Sequence, residues 1–245
     1  MLCKGMVCPY KQKSKERTML KDLINLLYPA PCLACGKVLH QNESLICLDC
    51  LFHLPRTNFH SDPANAVCQL FWGRAEVEMA TAFLFFTKAG RVQHLIHQLK
   101  YSKKPEIGVY LGKLFGKDLL KALPFQQIDV IVPVPLHPKR IKVRGYNQSD
   151  QIAFGLSQTM NVPVDTTSFV RRTETETQTR KNRFSRWENV KEVFSVANEY
   201  ALKNKHILLV DDVITTGATI EGCIRKLTAI EGARVSVVSL AIPTT

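Results

Sequence analysis

Residues 206–219 restrict the fold of this chain more than any other stretch. They read His-Ile-Leu-Leu-Val-Asp-Asp-Val-Ile-Thr-Thr-Gly-Ala-Thr, so an apolar run meets two adjacent carboxylates and then a loop of small residues. Apolar side chains at helical spacing follow the loop: Ile220, Cys223, Ile224, Leu227 and Ile230. This order predicts a buried strand with an acidic end, then a loop that opens an amphipathic helix.

The loop after the strand has the chemistry of a phosphate site. Backbone N–H groups at a helix N-terminus are unpaired and carry partial positive charge, so small side chains there let a phosphate approach. Thr215, Thr216 and Thr219 add hydroxyl donors, whereas Asp211 and Asp212 suit the cis-diol of a ribose or a Mg²⁺ ion. The alternative is an ordinary buried strand followed by an acidic helix cap.

Residues 210–219 resemble the phosphoribosyl pyrophosphate (PRPP) signature of type I phosphoribosyltransferases. They contain neither the Gly-Lys-Ser/Thr of a Walker loop nor the Gly-x-Gly-x-x-Gly of a dinucleotide site. The resemblance implies that Asp211 and Asp212 are catalytic residues at the ribose hydroxyls and Mg²⁺. It also implies a 5-phosphate site made by the loop: Thr215, Thr216, Gly217, Ala218 and Thr219. Purine-salvage enzymes with a similar motif carry a carboxylate where this chain has Thr215, so the acceptor stays open.

The charge balance favours an anionic partner. Lys and Arg number 33 and Asp and Glu 21, which gives a formal net charge of +12 over 245 residues. Phosphorylated metabolites and nucleic acid both fit this balance. No apolar run reaches the roughly 18 residues of a membrane span, and the Lys-rich start does not resemble a secretory signal. We therefore expect no transmembrane segment and a cytoplasmic protein.

Eight cysteines in such a chain indicate metal binding or free thiols rather than disulfides. Four of them form two Cys-x-x-Cys pairs with 11 residues between the pairs: Cys32, Cys35, Cys47 and Cys50. Each short turn offers two sulfurs on one side, and four thiolates complete a tetrahedral zinc site without an open catalytic position. The pattern therefore predicts a structural zinc ion, and the alternative is a set of buried or redox cysteines.

Segments with the hydrophobic pattern of strands alternate with segments that have the pattern of helices, from residue 76 to residue 242. Strands are predicted within these segments: 76–87, 128–136, 164–170, 194–196, 207–210 and 235–242. We therefore predict an α/β fold, a doubly wound and mainly parallel sheet of the type I phosphoribosyltransferase kind, with a small N-terminal zinc-binding module. The expected divisions are a basic flexible tail (1–18), the zinc-binding module (19–58) and a phosphoribosyltransferase-like domain (76–245).

Three basic segments flank the predicted sheet. Lys100 begins a Lys-Tyr-Ser-Lys-Lys run that fits either a phosphate contact or the C-terminus of a helix. Residues 137–148 follow a predicted strand in a loop and carry four cations and no acid. They indicate either a solvated surface or a site for pyrophosphate or a nucleic-acid backbone. Residues 171–191 predict a long flexible loop that ends in a short helix.

These motifs, in this order, resemble the ComF family of phosphoribosyltransferase-like competence proteins over about residues 20–243. The resemblance rests on the cysteine pairs, Pro-Val-Pro-Leu-His at 133–137, Arg-Gly-Tyr-Asn-Gln at 144–148, the polar loop, and 211–219. It implies further PRPP-binding residues around the pyrophosphate: Pro133, Val134, Pro135, Arg144 and Lys100. It also implies a flexible hood that carries Arg171, Gln178, Arg183 and Asn189.

Two functions of different classes fit these features. The first is an enzyme that transfers phosphoribose from Mg²⁺-bound PRPP to an unidentified nitrogen nucleophile. The second is a non-catalytic protein that binds single-stranded DNA through its basic loops and zinc module and only senses PRPP. The ComF resemblance implies DNA-uptake machinery as a partner in both cases.

Overall fold

The computed structural model describes residues 30–88, 90–171 and 193–244. The chain forms two compact units, residues 1–51 and residues 52–245. The predicted basic tail and most of the predicted hood loop lie outside the described residues. Within those residues, none of the helices combines the length and apolar character needed to cross a bilayer.

The first unit presents its cysteines from a turn and from the start of a helix. Pro31 and Val38 form an antiparallel bridge around the turn, in which Gly36 adopts a φ of 77°. This left-handed conformation favours glycine because other residues would strain their Cβ. Helix α1 follows at Leu48–Phe52. The two Cys-x-x-Cys pairs therefore lie on separate structural elements.

A four-stranded parallel sheet forms the centre of the second unit, in the order β1-β6-β5-β2. Its strands are β1 (Met79–Phe86), β2 (Val130–Pro133), β5 (His206–Val213) and β6 (Arg234–Pro243). The central strands β5 and β6 are buried over most of their length, as expected for strands covered on both faces. Two short strands, β3 (Phe169–Arg171) and β4 (Phe194–Val196), form a separate antiparallel pair. The predicted doubly wound, mainly parallel sheet is confirmed.

Helices connect and cover these strands. They are α2 (Ala66–Gln69), α3 (Arg91–Tyr101), α4 (Pro105–Leu119), α5 (Leu123–Gln126), α6 (Pro138–Arg144), α7 (Gln148–Met160) and α8 (Ala218–Leu227). Helix α7 packs against β2, β5 and α4, and α8 packs against β6 and β4. This packing places the start of α7 and the start of α8 beside the end of β5.

Two segments differ from the sequence-based expectation. Residues 138–144, expected as a loop, form α6 because the His137 ring accepts the Lys139 N–H and Gly145 ends the helix at a φ of 86°. The strand expected at 164–170 is reduced to a single parallel bridge at Val164 and to β3. Asp165 interrupts it, because its side chain accepts the backbone N–H groups of residues 167 and 168 and forms a turn.

Helices α4 and α7 approach closely through glycines. A Cβ added at Gly155 would lie 2.2 Å from the backbone oxygen of Val109, and one added at Gly112 would lie 2.4 Å from the backbone oxygen of Ile152. Backbone atoms cannot move aside as flexible side chains do, so any larger residue would force the helices apart. The contact fixes α7, whose first turn lies next to the acidic end of β5.

We expect Gly155→Ala to lower the free energy of unfolding by about 1–3 kcal/mol, because the added methyl overpacks this helix contact. Gly222→Ala is the matched control, since a Cβ there meets nothing closer than Phe194 Cδ2 at 3.9 Å. That change should leave stability unchanged or raise it by about 0.5–1 kcal/mol. Urea unfolding with a common slope measures both. Equal effects of the two substitutions would contradict the close-contact explanation.

Candidate functional site

Asp211 and Asp212 lie at the carboxyl edge of the parallel sheet, near the end of β5. Asp211 Oδ1 accepts hydrogen bonds from Ser149 Oγ at 3.1 Å and from the Asp212 backbone N–H at 2.8 Å. Lys100 Nζ lies 3.0 Å from Asp212 Oδ1 and 2.9 Å from its Oδ2. The acidic pair is therefore held by a hydroxyl from α7 on one side and by an ammonium from α3 on the other.

The environment of Asp211 disfavours its charged form. Burial and the negative charge of Asp212 raise the pKa of Asp211 to about 7, although hydrogen bonds from Asp212 and Ser149 and the charge of Lys100 act in the opposite direction. A carboxyl group with such a pKa changes charge near neutral pH. Perturbed carboxyls of this kind cluster at functional sites.

The loop at the start of α8 is open to a ligand. Thr215, Thr216 and Thr219 are exposed, and Gly217 adopts a φ of 75° as the residue before the helix. Within the described part of the chain, the backbone N–H groups of residues 215, 216, 217 and 219 have no hydrogen-bond acceptor. A Cβ at Gly217 would also lie 3.2 Å from the Phe71 ring. Free N–H groups at the N-terminus of a ten-residue helix suit an anion.

The Arg74 side chain binds the outer side of this loop. Its Nη1 donates to the Thr216 carbonyl at 3.1 Å, and its Nε donates to Glu221 at 3.0 Å. Arg225 completes the cluster, with Nη2 at 2.9 Å from Glu221 and 2.6 Å from the Arg74 carbonyl. With the Thr216 carbonyl bound to Arg74, the N–H side of the loop remains available.

The exit of β2 lies beside the acidic pair. Pro133 pairs with Val210 across the sheet, and the Val134 N–H donates to the Val210 carbonyl at 2.8 Å. The buried Asn147 side chain donates to the Val134 carbonyl at 3.0 Å and to Asp150 at 2.6 Å. The turn that begins at Val134 and continues to Pro135 is therefore attached both to β5 and to α7.

Arg144 reaches the same region from the end of α6. Its guanidinium carbon lies 5.3 Å from the centre of the exposed Tyr101 ring, which follows Lys100 in the chain. The Tyr146 hydroxyl donates to the Leu99 carbonyl, which fixes the turn after α6 to the end of α3. The structure thus brings Lys100 and Arg144, separate in sequence, to one end of α3.

Of the predicted hood, the structure describes only the first residue, Arg171. Arg171 ends β3, and its guanidinium lies over the Phe194 ring of β4 at 5.4 Å. The other predicted hood residues, Gln178, Arg183 and Asn189, lie outside the described residues. Their role remains a prediction.

The four cysteines of the first unit converge. The sulfurs of Cys32, Cys35, Cys47 and Cys50 all lie within 4.8 Å of one another, and those of Cys35 and Cys47 are 3.8 Å apart. Zinc–sulfur bonds of about 2.3 Å in a tetrahedron require sulfurs about 3.8 Å apart. Burial raises the pKa of Cys32, but backbone hydrogen bonds from Cys47, Cys35 and Ala34 lower it to about 7, which favours a thiolate. The cluster has the donor set and spacing for a zinc ion.

Three residues that contact the predicted site were not predicted from the sequence to belong to it: Ser149, Asn147 and Arg74. Asn147 belongs to the motif at 144–148 and Ser149 follows it directly, but their polar side chains equally suit the start of a helix, so nothing local assigns them to the site. Arg74 lies 142 positions from the carbonyl that it binds, in a segment with no strand or helix pattern. Only the tertiary fold reveals such a contact.

Comparison with known proteins agrees with this geometry. Residues 143–243 match the family described as phosphoribosyl transferase domain. The DNA utilization protein YhgH of Escherichia coli K12 is 37% identical over 129 residues, which cover 51% of this chain and 56% of that protein. Competence protein F of Haemophilus influenzae is 35% identical over 143 residues, which cover 54% of this chain and 61% of that protein.

The chain thus spans about half the length of the curated relatives that it matches. Among solved structures, the glutamine PRPP amidotransferase from B. subtilis, complexed with ADP and GMP, is similar with a TM-score of 0.42 and 18% identity, over 58% of this chain and 30% of that one. The domain match and the two curated relatives agree with the motifs of the site. The chain is similar to the ComF family of phosphoribosyltransferase-like proteins, a resemblance that the domain match and these two relatives support.

Proposed function

We propose that this chain binds PRPP together with Mg²⁺ at the carboxyl edge of its sheet, as a phosphoribosyltransferase-like protein of DNA uptake. The proposal rests on three features that lie together at this edge of the sheet. They are two carboxylates, a loop with free backbone N–H groups, and the turn that follows β2. The role in DNA uptake rests on relatives named for DNA utilization and competence. A cytoplasmic location is part of the same proposal.

Each chemical group of PRPP has a counterpart at this edge. The loop from Thr215 to Thr219 offers unpaired N–H groups and hydroxyls to the 5-phosphate. Asp211 and Asp212 accept hydrogen bonds from the ribose diol, and they stand where Mg²⁺ would neutralise the pyrophosphate. Lys100 and Arg144, with the turn from Pro133 to Pro135, face the pyrophosphate. Lys100 can exchange its contact with Asp212 for one with a phosphate oxygen.

In phosphoribosyl transfer, the bond from C1 of the ribose to the pyrophosphate oxygen breaks as a bond from the acceptor to C1 forms. Positive charge builds on the ribose while negative charge builds on the leaving pyrophosphate. The acidic pair would stabilise the first charge, and Lys100 and Arg144 the second. Mg²⁺ supplies further neutralisation when bound with the pyrophosphate. Thr215 provides no general base for a purine, so this loop does not identify the acceptor.

We also propose that the cysteine cluster holds a structural zinc ion. Four sulfurs within 4.8 Å of one another match a closed tetrathiolate site, which has no position for a substrate. The zinc would therefore stabilise the first unit and take no part in phosphoribosyl transfer.

Binding of single-stranded DNA is the second candidate function. The observation that favours it is α6, which carries Lys139, Arg140 and Lys142 as exposed cations and ends at Arg144, stacked on the exposed Tyr101 ring. Cations beside an aromatic platform suit a nucleic-acid backbone and its bases. In this case the PRPP site would sense PRPP without turning it over.

One assay separates the two candidates. The protein is incubated with PRPP, Mg²⁺ and nitrogen nucleophiles, and pyrophosphate release is followed for the wild type and for the Asp211→Ala/Asp212→Ala variant. Release that depends on the acceptor and on both carboxylates supports the enzyme. Binding of PRPP without release, alongside salt-dependent binding of single-stranded DNA, supports the sensor.

The pKa of Asp211 predicts a pH dependence of PRPP binding. Because burial and Asp212 raise this pKa to about 7, the carboxyl must lose a proton before it meets Mg²⁺. Affinity for Mg²⁺-PRPP should therefore rise roughly tenfold from pH 6 to pH 8. The same shift makes the free protein lose stability as pH rises from about 4 towards 7, because the folded state holds the proton more tightly than an unfolded carboxyl does.

Calorimetric titrations at pH 6, 7 and 8 measure this dependence. In Asp211→Asn the part due to Asp211 should disappear, leaving the titration of the ligand's own phosphates. An unchanged pH profile in that variant would contradict the assignment of the effect to Asp211.

A further inference from the structure

Arg74 contacts the loop at 215–219 although it belongs to a distant segment of the chain. Its Nη1 donates to the Thr216 carbonyl at 3.1 Å and to the Leu70 carbonyl at 3.0 Å. Its Nε donates to Glu221 Oε2 at 3.0 Å, and Glu221 lies in the first turn of α8. The guanidinium therefore joins three parts of the molecule: its own segment, the loop and the helix.

The peptide between residues 216 and 217 transmits this contact to the Gly217 N–H. The peptide is trans and planar, so its carbonyl and its N–H point in opposite directions. Because the carbonyl is held by Arg74, the N–H points away from Arg74. Within the described part of the chain, this N–H has no acceptor. The contact on the outer side thus sets the direction in which a free donor is presented on the inner side.

The charge of the guanidinium also strengthens this donor. A hydrogen bond accepted by a carbonyl polarises the whole peptide, so the N–H of the same peptide becomes a better donor, by roughly 10–30% for each linked bond. A charged donor such as Arg74 acts more strongly than a neutral one. This polarisation adds to the partial positive charge at the N-terminus of α8.

Other contacts hold this arrangement in place without a ligand. Gly217 lies against the fully buried Phe71 ring, and a Cβ added at Gly217 would lie only 3.2 Å from it. The Glu221 N–H donates to the Gly217 carbonyl at 2.8 Å, while the Glu221 side chain accepts from Arg74 and, at 2.9 Å, from Arg225 Nη2. A loop fixed in this way loses little conformational freedom when it binds a phosphate.

We propose that Arg74 is a positioning residue for the 5-phosphate, and that it acts through the peptide between residues 216 and 217. The proposal rests on the proposed PRPP function, because that function places the 5-phosphate at this loop. Each of the three guanidinium nitrogens of Arg74 already donates to a protein acceptor. The side chain therefore supports the donor that meets the phosphate and does not itself bind the phosphate.

The alternative role of Arg74 is an ordinary ion pair with Glu221 at the surface. Such pairs contribute little to stability and have no influence on which part of a ligand is bound. A positioning role, by contrast, affects only ligands that carry the 5-phosphate. The two roles are therefore separated by ligands that fill different parts of the site.

The test compares Mg²⁺-PRPP and ribose 5-phosphate, which carry the 5-phosphate, with Mg²⁺-pyrophosphate, which does not. Isothermal titration calorimetry measures the affinity of each ligand for the wild type and for Arg74→Gln. We expect the variant to bind the first two ligands roughly tenfold more weakly and Mg²⁺-pyrophosphate within about twofold of the wild type. General damage to the fold would weaken all three ligands alike, and melting temperatures report such damage independently.

Two further variants separate charge from geometry. Arg74→Lys keeps the charge, but a single ammonium cannot reproduce the planar fork that bonds the Thr216 carbonyl and Glu221 together. We expect it to bind Mg²⁺-PRPP about three- to fivefold more weakly. Arg234→Gln is the control, because it removes the same charge from an exposed arginine at the start of β6, and all three affinities should be unchanged.

An NMR measurement examines the peptide itself. In protein labelled with ¹⁵N-glycine, the Gly217 amide proton should shift downfield when Mg²⁺-PRPP binds, because its N–H then donates to the phosphate. The signal is assigned by its disappearance in Gly217→Ala. The downfield shift should be smaller in Arg74→Gln at saturating ligand.

Two results would overturn the proposal while PRPP binding stands. One is an unchanged affinity for Mg²⁺-PRPP in Arg74→Gln. The other is an equal loss of affinity for Mg²⁺-PRPP and for Mg²⁺-pyrophosphate, which would assign Arg74 a purely structural role. Absence of Mg²⁺-PRPP binding by the wild type would instead overturn the proposed function and this inference together.

Discussion

Replacing both carboxylates, in Asp211→Asn/Asp212→Asn, should weaken Mg²⁺-PRPP binding roughly 100-fold or more. Each charge-assisted hydrogen bond is worth about 1.5–3 kcal/mol, and the change also removes the two charges that face the metal. Lys100 loses the carboxylate that lies 2.9 Å from its ammonium, which leaves a cation without its anion. Isothermal titration calorimetry with and without Mg²⁺ measures the loss.

The unfolding behaviour of this variant separates a binding role from a structural one. Asp211 is unfavourable when charged, because burial and Asp212 both oppose its ionisation. The gain from its neutral replacement should offset the loss of the Lys100–Asp212 ion pair, so the melting temperature of the double variant at pH 8 should stay close to that of the wild type. Glu199→Gln/Glu231→Gln makes the same charge change at exposed positions and should keep full affinity. Equal affinity losses in the two double variants would contradict the site.

Replacing one cysteine, in Cys47→Ser, should remove zinc and unfold the first unit. Zinc binding to such sites contributes about 10 kcal/mol or more of folding free energy, and a serine does not supply the missing thiolate. The wild type should contain about one zinc ion per chain, and the variant almost none. Mass spectrometry of the purified protein measures the metal, and limited proteolysis reports the loss of order near residues 32–50.

Cys223→Ala is the control for this experiment, because Cys223 is fully buried in the second unit and takes no part in the cluster. Its zinc content should equal that of the wild type. Wild-type protein without zinc, purified in the absence of chelators, would contradict the zinc site.

The parts of the fold that could be predicted are those whose signals are local. At 206–227 the strand, the acidic pair, the small-residue loop and the amphipathic helix are consecutive, so periodicity and composition report all four. The cysteine cluster could be predicted for the same reason, because the spacing of each pair defines its turn. The parallel direction of the strands followed from the alternation of strands and helices, whereas the order β1-β6-β5-β2 comes from the structure.

The parts that could not be predicted depend on contacts distant in sequence or on small polar turns. Helix α6 was missed because prolines and charged residues hide its pattern, and its start depends on a histidine cap. Asp165 broke a strand that hydrophobicity favoured, since its side chain captures two backbone N–H groups. The hydrogen bond from Ser149 to Asp211 spans 62 positions, and no local rule reports it.

The buried Nε of Arg171, which has no acceptor among the described residues, is a finding of the same kind. In sequence it was one cation of a polar loop, with acids nearby along the chain. Only the stacking on Phe194 and the absence of an acceptor for its Nε, within the described residues, distinguish it from a solvated arginine. Whether a buried donor has an acceptor depends on its three-dimensional environment, so composition cannot predict it.

Calorimetric titration of Mg²⁺-PRPP into the wild-type chain at pH 8 tests the central claim most directly. The account predicts saturable binding at about one site per chain, dependent on Mg²⁺ and competed by ribose 5-phosphate and pyrophosphate, each of which fills part of the site. Absence of binding at millimolar PRPP, or binding that persists in Asp211→Asn/Asp212→Asn, would contradict it.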